Sequence, residues 1–74
     1  MVKIGDHVVY IDPTRIERQA LVTAVFSQDC INIMFASADE NKQDSYGRQL
    51  ERATSLPREG AWNNGAGNCW REVQ

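Results

Sequence analysis

The chain has 74 residues, 42% of them hydrophobic and 24% charged, with a formal net charge of −2. That length holds one domain around one small core, and the composition belongs to a folded domain rather than a disordered segment. The balance lacks the basic surplus with which most nucleic-acid binders neutralise phosphate, and no apolar run approaches the roughly 20 residues of a membrane span.

Residues 1–5 form a short lead-in without a signal-peptide apolar stretch, which predicts a protein kept in a cytosol or built into a particle assembled there. Gly5-Asp6 is a turn pair. His7 to Ile11 follows as a run of β-branched and aromatic residues, a predicted first strand. Side chains alternate across a strand, so Val8 and Tyr10 share one face and Val9 and Ile11 the other. Neither face is polar, which suits a strand in a small barrel or one covered on its second side. Asp12-Pro13-Thr14 stops it, because proline cannot donate to a sheet ladder and Asp-Pro favours a turn.

Thr14 to Gln19 is charged and predicts an exposed hairpin loop. Ala20 to Phe26 predicts the second strand, with Leu21, Thr23 and Val25 on one face and Ala20, Val22, Ala24 and Phe26 on the other. Ser27-Gln28-Asp29 is a turn. Cys30 to Ser37 carries the clearest period-2 pattern, with Ile31, Ile33 and Phe35 predicted as core and Asn32, Met34 and Ala36 as a half-wet second face. Ala38 to Gly47 predicts a long hydrophilic loop. Arg48 to Leu56 alternates again and predicts a fourth, more polar edge strand, with a helix over Gln49 to Ala53 as the rival. Residues 59–68 form a turn region rich in glycine and asparagine, and Cys69 to Val73 predicts a short last strand. The fold class is therefore all-β: one domain over residues 1–74, a small barrel of four to five short antiparallel strands with an irregular C-terminal tail.

The chemistry-bearing residues do not converge in the sequence. Asp6 and His7 are neighbours on a strand and point to opposite faces, so Asp6 does not orient His7 as a base. Two cysteines and one histidine are too few for a structural zinc site. Cys30 and Cys69 are expected as free thiols in a reducing compartment. Asp39, Glu40 and Asp44 lack the spacing of a calcium loop. No catalytic residue, metal or cofactor is predicted. The expected partner-binding residues are Tyr46, Arg48, Arg52 and Arg58, where aromatic and arginine side chains gather, together with Trp62 and Trp70 around the glycine-rich turn. Tryptophan, tyrosine and arginine carry most of the energy of protein interfaces.

Gly5-Asp6-His7-Val8 followed by Ala20-Leu21-Val22 resembles the opening of SH3-like barrels of the KOW and Tudor type. The segments Gly5 to Pro13, Ala20 to Val25, Asp44 to Pro57 and Trp70-Arg71 together resemble a set of small proteins encoded by tailed bacteriophages and prophages. The phage resemblance implies a non-enzymatic virion accessory protein of the capsid cement, decoration or connector type. Its partner would be the major capsid or connector protein, and it would be a homo-oligomer located in the virion. The KOW and Tudor resemblance implies the alternative, an adaptor that binds nucleic acid or a transcription-machinery component.

Overall fold

The computed structural model describes residues 1–60 and 67–73. Five strands build the main sheet: β1 (His7–Ile11), β2 (Glu17–Ser27), β3 (Cys30–Ala36), β6 (Leu50–Pro57) and β7 (Cys69–Glu72). A small hairpin, β4 (Gln43–Asp44) with β5 (Gly47–Arg48), lies between β3 and β6 in the chain. The main sheet is antiparallel throughout, in the order β6-β3-β2-β1-β7. The last strand thus returns beside the first. The far end of β6 meets β7 through a bridge between Arg58 and Trp70, and Glu59 N donates to Trp70 O at 2.7 Å. This seam curls the sheet into a small barrel.

The first strand occupies the predicted residues, and both of its faces are covered. Val8 and Tyr10 enter the main core with Ala20, Val22, Ile31, Ile33, Leu56 and Trp70. Val9 and Ile11 form a second small apolar cluster with Cys69 on the opposite face. The predicted core face of the third strand also holds: Ile31 and Ile33 are fully buried and Phe35 packs against the core.

Three expectations need correction. The second strand begins at Glu17, not Ala20, so the exposed loop shrinks to the residues around Asp12–Ile16. Its charged residues belong to a ladder, with Ile11 opposite Glu17 and Tyr10 opposite Arg18. Second, the strict alternation predicted for β2 and β6 breaks. Val22 pairs with Ile33 but Val25 with Ile31, so the register shifts between Val22 and Ala24. An extra residue in one strand reverses every side chain beyond it. Val25 therefore turns inward, and Phe26, expected on the face of Val22, is 63% exposed. In β6 the same shift sits between Ala53 and Leu56, both of which face the core, and Ser55 takes a φ of 51°. Asn32 Oδ1 accepts from Ser55 N at 2.8 Å and pins this bulge. Third, the predicted loop of residues 38–47 contains the β4–β5 hairpin.

The turn after β1 is built around one carboxylate. Asp12 Oδ1 accepts from Thr14 N (2.9 Å), Thr14 Oγ1 (2.6 Å) and Ile16 N (3.0 Å), while Oδ2 pairs with Arg18 Nε at 2.8 Å. Together these bonds, the Thr14 hydroxyl foremost, hold the Asp12 carboxyl at a pKa of about 2, against an ordinary 3.8. The segment leading into β7 packs on this turn. Gly67 has a φ of 74°, and a Cβ there would overlap the carbonyl oxygen of Asp12. Tyr10 donates to Asn68 Oδ1 at 3.0 Å beside it. Gly67→Ala combines left-handed strain with a backbone clash, so it should destabilise the domain by ~1–3 kcal/mol, read as a lower urea midpoint at unchanged slope.

Candidate interaction surface

Because Val8, Ala20, Val22 and Ile33 fill the interior, the residues between them face out. Strand register then sets them side by side. His7 lies opposite Leu21, Leu21 opposite Met34, and Met34 opposite Arg52, making a row across four strands. Ala36 and Leu50 form the next pair along. Leu21, Met34, Ala36 and Leu50 line a shallow groove of about 210 Å³, with His7 and Gln19 at one end hydrogen-bonded to each other through Nε2 and Oε1. Leu21 is 40% and Leu50 63% exposed. Among the described residues, no aspartate or glutamate lines the groove.

The β4–β5 hairpin stands next to it. Asp44 Oδ1 accepts from Tyr46 N at 2.8 Å, an Asx turn that reverses the chain and lifts Tyr46 to the tip at 97% exposure. The base of the hairpin is fixed. Gln49 N donates to Lys42 O (2.9 Å), Ser37 N to Gln49 O (2.8 Å), and Arg48 Nη1 to Ser37 O (3.1 Å).

The predicted partner-binding residues are therefore divided. Tyr46 and Arg48 share the hairpin, and Arg52 lies on the outer row of β6. Arg48 is held as a bracket by Ser37 O and Gln43 Oε1. Arg52 is exposed and forms no salt bridge or side-chain hydrogen bond among the described residues. Arg58 lies elsewhere, at the barrel seam. Its guanidinium sits 5.6 Å from the centre of the Trp70 ring, with Nη2 3.6 Å from Glu72 Oε1. Trp70 is fully buried, so its ring is core and offers no contact surface, which corrects its placement among the partner-binding residues. Trp62 lies outside the described residues.

Sequence reasoning missed Leu21, Met34 and Leu50 as surface residues of interest. The signal was present: Met34 and Ala36 occupy the second face of a strand whose first face already fills the core. Nor does a single run reveal the apolar strip, since three separate strands contribute to it.

The remaining polar groups serve the fold. A depression beside the Tyr10–Phe35 pair (ring centres 4.9 Å apart) holds Asp12, Asp39 and Glu51, each already engaged. Asp12 binds its own turn. Glu51 accepts from Ser37 Oγ and lies 3.9 Å from Lys42 Nζ, and Asp39 Oδ1 accepts from Asn41 N at 2.9 Å. Burial, with Asp12 next, raises the Tyr10 hydroxyl above its ordinary pKa. Both cysteines are free, and burial raises the Cys69 thiol, which keeps it protonated and poorly nucleophilic at neutral pH. Arg71 Nη2 meets Glu17 Oε1 at 2.6 Å, which lowers the Glu17 carboxyl. Among the described residues, no group of three or more potential ligands could hold a metal ion.

Comparison with protein-family models finds no match, and comparisons with curated proteins and with solved structures likewise return no significant match.

Proposed function

We propose that this chain is a non-enzymatic accessory protein of a bacteriophage virion, of the capsid cement, decoration or connector type, assembled in the bacterial host cytoplasm. The observation that carries this reading is the apolar strip of Leu21, Met34, Ala36 and Leu50 on the outer face of the sheet, with Leu21 and Leu50 exposed and no carboxylate among the described residues that line it. A small domain gains little stability by leaving large apolar side chains in water, and contiguous exposed strips of this kind mark protein interfaces. Two of the four strip residues fall within the phage-like segments, Leu21 in Ala20 to Val25 and Leu50 in Asp44 to Pro57, which also holds Tyr46 and Arg52. The major capsid or connector protein is the proposed partner.

The nucleic-acid alternative draws less support. Arg48 and Arg58 are engaged with Ser37 and Glu72, and the three arginines lie on the hairpin, the outer sheet face and the seam rather than along one groove.

Mass spectrometry and cryo-EM of purified particles, produced by the phage or induced prophage that encodes the chain, test the proposal. The expected result is a stoichiometric copy number with density for the barrel on the capsid or connector surface. Particles free of the chain would end it.

A further inference from the structure

The hairpin tip and the outer groove are complementary to each other, and neither is covered by the described residues. The tip presents a fully exposed aromatic ring, Tyr46, beside the carboxylate of Asp44, whose Oδ2 has no partner among the described residues. The groove presents Leu21, Met34 and Leu50 next to Arg52, a guanidinium without a carboxylate among the described residues. An aromatic side chain with a neighbouring acid is what such a groove accepts. Tyrosine buries a large area at low conformational cost, and a charge pair fixes its register. Within one molecule the two cannot meet. Three hydrogen bonds from Ser37, Arg48 and Gln49 hold the hairpin base, and Tyr46 stands away from the barrel.

We infer that the occupant of the groove is the β4–β5 hairpin of a second copy of this chain. Gln49 alone separates Arg48 of the hairpin from Leu50 of the groove, so the base of the hairpin and the groove are neighbours in the fold. One copy inserting its Tyr46 into a neighbour thereby brings its own groove under the neighbour's Tyr46. That reciprocity defines a two-fold, self-complementary contact, with each tyrosine against the partner's apolar strip and each Asp44 facing the partner's Arg52. Two such knobs form a small interface, below about 1,200 Å², and predict a reversible dimer with a dissociation constant of roughly micromolar order. The inference rests on the reading of the chain as an assembly module, but its test uses the isolated protein and so succeeds or fails separately from the particle experiment.

Sedimentation equilibrium on the full chain, with a two-dimensional amide spectrum of each variant to verify its fold, reads the association. Tyr46→Ala and Arg52→Glu should each weaken dimerisation by about tenfold or more, as expected for an anchor residue and a desolvated charge. Ser45→Lys places a positive charge at the tip while keeping the Asp44 turn, and should weaken it similarly. The double variant Ser45→Lys with Arg52→Glu should associate more tightly than either single variant, because the introduced lysine then faces the introduced glutamate while Asp44 is kept for the turn. A wild-type chain monomeric at roughly millimolar concentration, far above the expected constant, overturns the inference. So does a Tyr46→Ala chain that dimerises normally, or a double variant weaker than either single one. Should a variant fail to fold, isotope-filtered NOEs in a mixed labelled and unlabelled wild-type sample decide the matter. Contacts from the Tyr46 ring to the Leu50 methyls of the other copy are expected, and their absence in the dimer refutes the pairing.

Discussion

Trp70→Ala is expected to remove a large part of the domain's stability at 25 °C. Among the described residues Trp70 is the largest of the fully buried side chains, and it sits in the larger core cluster with Val8, Ile31, Ile33 and Leu56. Truncating such a residue costs ~3–5 kcal/mol, the lost transfer energy plus the cavity left behind. A domain of this size has a total stability of about 4–11 kcal/mol, so the change removes roughly a quarter of it or more. Trp70 also carries more than volume. Its backbone carbonyl accepts from Glu59 N and its ring lies under the Arg58 guanidinium, so the seam between β6 and β7 weakens with the core. Far-UV circular dichroism and amide dispersion check the outcome. Trp70→Phe should fold and melt cooperatively at a lower urea midpoint. It keeps most of the apolar contact and removes an indole N–H that has no hydrogen-bond partner among the described residues.

The second large effect belongs to Asp12. Asp12→Ala removes the acceptor of three hydrogen bonds and the partner of Arg18 at a single stroke. The donors left behind include two backbone N–H groups that the tight turn cannot turn toward each other. A fall in melting temperature of ~10 °C or more is expected. Asp12→Asn retains a carbonyl oxygen for the turn and should fall between Ala and wild type. The charge component has a pH signature. The folded-state pKa is about 2 against an ordinary 3.8, so the unfolded chain binds the proton more tightly. The stabilisation is complete above the unfolded value, declines as pH falls from about 4 toward about 2, and is absent below. The wild-type and Asp12→Asn melting temperatures should therefore differ by a constant amount at pH 6 to 7 and converge as pH approaches about 2. Parallel curves down to that pH would show that the carboxylate charge contributes nothing.

Much of the sheet was legible because β1 and β3 obey one rule throughout. Their residues alternate without interruption, and turns of Gly-Asp, Asp-Pro and Ser-Gln-Asp bound them. The partial failures share one cause. A period-2 pattern carries no mark of the position where an extra residue enters, so the bulges beyond Val22 and at Ser55 reverse Phe26 and Leu56 without a signal in composition. Glu17 and Arg18 were read as loop because they are charged. Each in fact sits on a strand with a specific counter-ion, Arg71 and Asp12, that only the fold brings near. Asp12 itself was legible as a strand stop, and Thr14 two residues on was the available hint of an Asx turn. Its role as the acceptor hub depended on Arg18, four residues beyond Thr14.

The candidate surface was legible only in part. Tyr46 and Arg52 were recognised from residue type, and both are exposed. Trp70 was placed with them for the same reason, and burial overrides residue type there. The apolar members of the strip come from β2, β3 and β6, and their adjacency is a property of register, which no single stretch of sequence contains.

The pairing of β7 with β1 bears on how the chain reaches this state. Val8 pairs with Glu72 and Ile11 with Cys69, across nearly the whole sequence. During synthesis the meander of β1, β2, β3 and β6 can therefore form while Val9 and Ile11 still lack Cys69 and the core still lacks Trp70. Contacts so distant in sequence must wait for late loop closure, which places barrel completion among the slow steps of folding. Until then β1 presents an open, apolar edge, and β7 acts in time as it does in space: it shuts the sheet.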